Sequence, residues 1–468
     1  MTLTAPARRV VVLAGPTAVG KSALALRLCE LLHGELISVD SVQVYRGLQI
    51  GANKPSADER ARVPHHLLDI RDPSEEYTAG AFYVDALRSV EQVLARGRMP
   101  VLVGGTLMYM RWLTRGRPEA PKRDPVIASR VREMLEPLER ARDWAAGLQL
   151  LQALDPDRAA ELSRNDWYRL DRAIGVALQT GSAASELPRP ADPDGLDALR
   201  ASLDMRCFFL YAPREPLCRR IDERCEAMLR AGLLEETTDR LLSGALLPSS
   251  PAGRAIGYRQ VVEYLTRSSW QRDDARALRD FATSFAAVSR KYAGQQVKWF
   301  RSEPRFQWVA ADWDAPERTT EAVVAQVTCE RAAFDATLAS AAQSAARAAD
   351  PSLDKIMKTY QPRFVGLDGR GDGATAAVLE RANACRERLE PQLAELWAAN
   401  KAFEARYPHH RPAGGDDEAR SSPRSARADG GGASPPAERA DGGSDGAIDA
   451  SSADDGTGGG KRHKTEGA

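Results

Sequence analysis

Cysteine is sparse and scattered. Cys29, Cys207, Cys218, Cys225, Cys329 and Cys385 are spread over 468 residues, and no two stand in a CxxC spacing. That density excludes a disulfide framework and fits a reducing compartment. Histidine is as rare: His33, His65, His66, His409, His410 and His463. No paired cysteines precede paired histidines as a zinc finger requires, and Cys385 with His409 and His410 is too thin a set. Net charge is absent too, with 65 Lys and Arg against 65 Asp and Glu, so bulk electrostatics names no partner. No apolar run exceeds strand length, so no transmembrane span and no membrane partner is expected. Nine residues precede the first apolar run, too few for an ordinary signal or transit peptide. A cytoplasmic location is therefore expected, or a mitochondrial or plastid one if the start lies further upstream. Nothing points to an obligate assembly, and a monomer is expected.

What the chain does have is Gly15-Pro16-Thr17-Ala18-Val19-Gly20-Lys21-Ser22, after the apolar run Val10–Ala14 and before the helical pattern 21–32. Strand, glycine loop and helix, in that order, make a phosphate-binding P-loop. The glycines let backbone N–H groups surround an anion, and the helix N-terminus adds positive partial charge. Lys21 supplies a full charge, and the Ser22 hydroxyl suits Mg²⁺.

Strands read at 10–14, 35–39, 99–103 and 206–211, and helices at 21–32, 79–96 and 214–230. This alternation predicts an α/β fold: a P-loop NTPase-like parallel sheet flanked by helices. Residues 1–120 and 201–315 form the expected catalytic core. The helical, polar stretch 121–200 reads as an insertion. Residues 316–407 read as an Ala- and Arg-rich helical extension. From 408 the chain is a Gly-, Ser-, Asp- and Pro-rich tail, expected to be disordered. Its Lys461-Arg462-His463-Lys464 cluster reads as a solvated charge run. No internal repeat is present.

Ligands in such sheets bind at the carboxyl ends of strands. There stand the P-loop, Asp40-Ser41 and Gly104-Gly105-Thr106. Asp40 could bind Mg²⁺ or accept a proton. Thr106 offers a hydroxyl, or simply forms a turn. No second strand-end acid accompanies Asp40, which argues against simple ATP hydrolysis. Arg220 and Arg224 are four apart on a helix striped by Leu217, Ile221, Cys225 and Met228. They present either a paired guanidinium face for phosphate or a surface paired with Asp222, Glu223 or Glu226. Residues 253–301 interleave ten cations with eight aromatics. That suits either unstacked RNA bases or a helical pair with a buried aromatic face.

Together these pieces resemble the tRNA dimethylallyltransferase family. The matching segments are GPTAVGKS at 15–22, DSVQVYRGLQIGANKP at 40–55, VPHHLLDIRDP at 63–73 and LVGGTLMYM at 102–110. Further on come Asn165-Asp166 with Arg169, Arg254-Ala255-Ile256-Gly257-Tyr258-Arg259, and Trp299-Phe300-Arg301. The resemblance implies transfer of a dimethylallyl group from dimethylallyl diphosphate to N6 of the adenine 3′ of a tRNA anticodon. The implied catalytic residues are Asp40, Thr106 and Arg220. Diphosphate would be held by Gly15, Thr17, Gly20, Lys21, Ser22, Arg220 and Arg224, and Mg²⁺ by Ser22 and Asp40. The tRNA anticodon stem-loop would meet Asp40, Ser41, Val42, Gln43, Thr106, Asn165, Asp166, Arg169, Arg254, Gly257, Tyr258, Arg259, Gln296, Trp299 and Arg301.

Two departures stand out. The family's usual Lys-Arg-Gln run is Gly294-Gln295-Gln296 here, so two phosphate-binding charges are missing unless Arg290, Lys291 and Lys298 compensate. The zinc finger often appended to nuclear-encoded members is also missing. The nearest rival is an adenylate isopentenyltransferase acting on free AMP, ADP or ATP. It needs neither the 121–200 insertion nor the basic-aromatic stretch. A small-molecule P-loop kinase and a non-catalytic RNA binder are remoter alternatives.

Overall fold

The computed structural model describes residues 8–117, 124–182, 195–267, 270–272, 274–340 and 373–396, together with 342, 343, 346, 360–364, 366, 367 and 398. The expected tail at 408–468, with its basic cluster, lies outside the described residues.

The chain runs β1 (Arg9–Ala14), α1 (Lys21–Leu31), β2 (Gly34–Val39), α2 (Ala57–Arg62), β3 (His65–His66), α3 (Ala79–Ala95), β4 (Met99–Gly104) and α4 (Leu107–Arg115). A helical stretch follows: α5 (Pro125–Arg140), α6 (Trp144–Gln152), α7 (Pro156–Glu161), α8 (Trp167–Thr180) and α9 (Leu196–Ser202). Then come β5 (Asp204–Tyr211), α10 (Arg214–Ala231), α11 (Leu233–Leu242), α12 (Tyr258–Leu265), α13 (Ala275–Phe300) and β6 (Gln307–Ala310). Among the described residues α14 (Pro316–Thr328), α15 (Arg331–Leu338) and α16 (Ala374–Leu389) follow, with a 3-10 turn at Glu390–Gln392 after α16.

The six strands form one parallel sheet in the order β3-β2-β4-β1-β5-β6. Its central strands are apolar on both faces because helices cover both, which is why they read as unbroken hydrophobic runs. Val10 to Ala14 are at most 1 % exposed. Helix α3 shows the matching helical pattern, burying Phe82, Ala86, Val90 and Val93 at spacings of four, four and three. Two strands were not anticipated. β3 has two residues, too short for any periodicity to register, and β6 has four residues ending at the exposed Ala310.

Helices α5–α8 enclose a separate core of Val131, Leu135, Trp144, Leu151, Trp167, Leu170 and Ile174. Asp124, Asp143, Asp155 and Asp166 cap the four N-termini, each carboxylate accepting from a first-turn backbone N–H. Helix α9 also falls inside the expected insertion, yet its Leu196 and Leu199 pack with Tyr83 and Leu87 of α3.

The expected extension joins the main core. Phe334 of α15 meets Phe208 of β5 edge-on, with ring centroids 5.7 Å apart. Arg381 and Arg388 of α16 pair with Glu235 and Asp239 of α11. Glu226 of α10, 4 % exposed, accepts from the backbone N–H groups of Gly366 and Leu367. Among the described residues no helix is long and apolar enough to cross a membrane.

Candidate active site

Strand register assembles the site. β2, β4 and β1 are neighbours, with Val39 beside Gly104 and Gly104 beside Ala14. The next residue of each strand is therefore Asp40, Gly105 or Gly15, three chain positions set about 5 Å apart at one sheet edge. Gly104 must be glycine, because a Cβ would lie 2.0 Å from the Val39 carbonyl oxygen.

The P-loop is held by its carbonyl oxygens, from within by Lys21 and from outside by Arg220 and Trp313. Lys21 Nζ donates to Pro16 O (2.8 Å), Arg220 Nε to Ala18 O (3.4 Å) and Trp313 Nε1 to Val19 O (3.0 Å). Ala18 and Gly20 take left-handed φ values of 66° and 106°, which turns the loop sharply into α1. The N–H groups of Ala18, Gly20, Lys21 and Ser22 have no acceptor among the described residues. They form a cradle for an anion at the N-terminus of α1.

Arg220 and Arg224 of α10 turn to this loop and not to the acids of their own helix. Arg224 donates to Thr17 Oγ1, and Arg220 reaches Ala18. Asp222 instead accepts from Arg290 and from Tyr360. A cleft of ≈ 420 Å³ opens above the loop, lined by Gly20, Lys21, Ser22, Asn53, Arg220 and Arg224. Burial and the Arg224 guanidinium lower the Lys21 ammonium to about 7, and the Asp40 carboxylate opposes that shift. Burial likewise lowers Arg224.

Asp40 Oδ1 accepts from the N–H groups of Val42 (2.8 Å) and Gln43 (3.2 Å), closing a turn that leaves Oδ2 without a hydrogen-bond partner among the described residues. The Thr106 hydroxyl accepts from Ser41 N (3.1 Å), tying the Asp40 turn to the β4 loop. Gln43 faces inward. Its amide donates to Ala52 O and Asn53 O, and its Oε1 accepts from Ser38.

Metal ligands are few. No group of three or more His, Cys, Asp or Glu able to hold an ion exists among the described residues. Ser22 Oγ and Asp40 Oδ2 are hard oxygen donors of the kind Mg²⁺ takes, and such an ion relies for its other ligands on substrate phosphates and water. The residues fit an ion that arrives with a diphosphate.

The predicted RNA contacts divide. Asn165 and Arg169 are exposed around α8, and Ser41 is exposed beside Asp40. Val42, Asp166, Arg254, Trp299 and Arg301 are half-buried. Arg259 is paired with Glu263. Three others are interior. Tyr258 is 0 % exposed, with its hydroxyl donating to Glu236. Gly257 is buried, and its N–H donates to Gln260. Gln296 is 1 % exposed, accepting from Thr17 N (2.9 Å) and donating to Gly105 O (2.9 Å). These three shape the site from behind and offer RNA no open surface. Arg290 also cannot replace the missing charges, because it is committed to Asp222. Lys291 and Lys298 are exposed.

Much of the basic-aromatic stretch therefore packs inward. Phe281, Phe285 and Phe300 are core residues, and Arg259, Arg267 and Arg290 have carboxylate partners. Sequence reasoning missed Asn53, Tyr292 and Trp313. Tyr292 donates to Gly105 O at 3.1 Å. The sequence placed Tyr292 only among the aromatics of the 253–301 stretch and gave Trp313 no role, because each acts through a backbone carbonyl distant in sequence.

The sequence model described as "IPP transferase" matches residues 43–303, more than half of the chain. A tRNA dimethylallyltransferase 9 of Arabidopsis thaliana is 40% identical over 330 residues, covering 65% of this chain and 71% of that one. A tRNA dimethylallyltransferase 1 of Trichlorobacter lovleyi is 42% identical over 302 residues, covering 64% and 93%. The crystal structure of a eukaryotic dimethylallyltransferase acting on tRNA superposes with a TM-score of 0.54 at 26% identity, covering 71% of this chain and 84% of that one. The chain belongs to the IPP transferase family.

Proposed function

We propose that the protein is a tRNA dimethylallyltransferase. It moves the dimethylallyl group of dimethylallyl diphosphate to N6 of the adenine 3′ of the anticodon and releases diphosphate. The observation that carries this reading is the in-register convergence of the P-loop, Asp40 and the Thr106 loop beside a cleft walled by Arg220 and Arg224.

The adenine must first leave the anticodon-loop stack. N6 attacks C1 of the dimethylallyl group, the C1–O bond breaks, and its electron pair leaves with diphosphate. Asp40 Oδ2 takes the N6 proton, while the turn onto Val42 and Gln43 holds the carboxylate in one orientation. Lys21, Thr17, Arg220, Arg224 and the loop N–H groups stabilise the charge that develops on diphosphate. Mg²⁺ held by Ser22, with diphosphate and water as its other ligands, would neutralise further leaving-group charge and leave Asp40 Oδ2 to take the proton. Ser41, Thr106, Asn165 and Arg169, with Lys291 and Lys298, supply polar and cationic groups for the anticodon stem-loop.

Label transfer from dimethylallyl diphosphate in Mg²⁺ tests the reading. Three acceptors are compared: tRNA with adenine 3′ of the anticodon, the same tRNA with guanine there, and AMP. Label in the adenine tRNA alone is expected. Preference for AMP would make the protein an adenylate isopentenyltransferase.

A further inference from the structure

Trp313 lies ten residues beyond the stretch matched by the family's sequence model, in the turn that leaves β6. The turn is well braced. Ala311 N donates to Tyr211 O (2.8 Å), continuing the β5–β6 ladder. Asp312 N donates to Thr319 Oγ1 (3.0 Å), and Asp312 Oδ1 accepts from Asp314 N (3.2 Å) and Ala315 N (2.9 Å). This bracing delivers the indole to the P-loop, where its N–H holds the Val19 carbonyl at 3.0 Å. The same ring carries the Arg220 guanidinium, with Cζ 4.4 Å from the ring centroid. Arg220 in turn bonds the carbonyl of Ala18, the adjacent loop residue. One half-buried side chain thus holds the Val19 carbonyl directly and carries the arginine that holds the Ala18 carbonyl.

We propose that Trp313 is a positioning residue for diphosphate. It seats Arg220 by a cation–π contact and clamps Val19, so that arginine and loop meet the anion already arranged. An unseated Arg220 loses side-chain freedom only on binding, and an unclamped loop must order its N–H groups at the same moment; both costs weaken affinity. A cation–π contact made by an exposed arginine and one hydrogen bond are each of the size that moves affinity by about tenfold or less.

The inference rests on the P-loop being a diphosphate site, so the ligand for its test is inorganic diphosphate, titrated calorimetrically into the full-length protein. Trp313→Leu is expected to raise Kd about tenfold, and Trp313→Phe, which keeps the aromatic face and loses the N–H, about threefold. In an Arg220→Ala background Trp313→Leu should add less than half of its effect, because the seat then has no occupant. In turnover, KM for dimethylallyl diphosphate rises while KM for tRNA holds. Wild-type binding with a Kd unchanged in both variants, or full additivity with Arg220→Ala, overturns the inference alone. A wild-type protein that does not bind diphosphate overturns the site reading and the inference together. Should Trp313→Leu fail to fold, the Kd of Trp313→Phe decides: a rise of about threefold supports the clamp on Val19, and an unchanged value overturns the inference.

Discussion

Gln296 Oε1 lies 2.9 Å from the backbone nitrogen of Thr17, across 279 residues of sequence. The same amide donates to Gly105 O at 2.9 Å, so one buried side chain on α13 ties the P-loop to the β4 loop. Even the spacing is set for it: a Cβ on Gly105 would lie 2.2 Å from Gln296 Nε2.

Replacing Gln296 by Leu strands the Thr17 N–H and leaves Gly105 O to the Tyr292 hydroxyl, for an expected loss of about 1–3 kcal/mol. Gln296→Glu keeps an acceptor for Thr17 but sets a carboxylate against Gly105 O and beside the anion site. Diphosphate affinity should fall more in Gln296→Glu than in Gln296→Leu. Urea unfolding and diphosphate titration separate the two effects; equal Kd values in both variants would contradict the bridging role.

Asp40→Asn can keep the turn, because an amide oxygen still accepts from Val42 and Gln43. It removes the base. Turnover should fall by about 10²–10⁴-fold with tRNA affinity changed little. Parallel losses in rate and in tRNA binding would instead make Asp40 an RNA-positioning group.

Lys21 carries a pH signature. Its folded value of about 7 lies below the usual 10.5. In the ligand-free protein the unfolded chain therefore binds more protons between those values, and stability contributed through this group rises with pH across that window. Below pH 7 the buried ammonium costs its full amount. Lys21→Met should then stabilise the ligand-free protein at pH 6 by about 1–3 kcal/mol, discounted because the side chain stays partly hydrated. The gain should fade towards pH 10. Melting curves of both proteins across pH check this, and a pH-independent difference would contradict it.

Tyr258 sits in a motif that resembles an RNA contact, yet its hydroxyl donates to Glu236 Oε1 at 2.7 Å. Glu236 in turn accepts from the N–H groups of Gln49, Ile50 and Gly51, shaping the loop before Asn53. Tyr258→Phe is expected to cost about 1–2 kcal/mol of stability and to leave KM for tRNA within twofold. An unchanged melting temperature with a tenfold rise in KM would return Tyr258 to the RNA surface.

The α/β class, four of the six strands and the phosphate loop were legible in the chain because each is local. Val10–Ala14 is a buried strand whichever way it packs, and Gly15–Ser22 can cradle an anion from its own backbone. Asp40 and Thr106 were legible as strand-end residues for the same reason. The direction of a side chain that sequence leaves free was not. Arg220 stands among acids and Arg290 among aromatics in the sequence, yet the first meets the P-loop and the second a buried Asp222. Tyr258, Gln296 and Trp313 acquired their partners only when α12, α13 and the turn after β6 packed onto loops far away in the chain. Local propensity and apolar period write the elements into the sequence; which polar side chain satisfies which distant backbone group is settled by packing, since the desolvation that makes such a bond necessary exists only in the folded core.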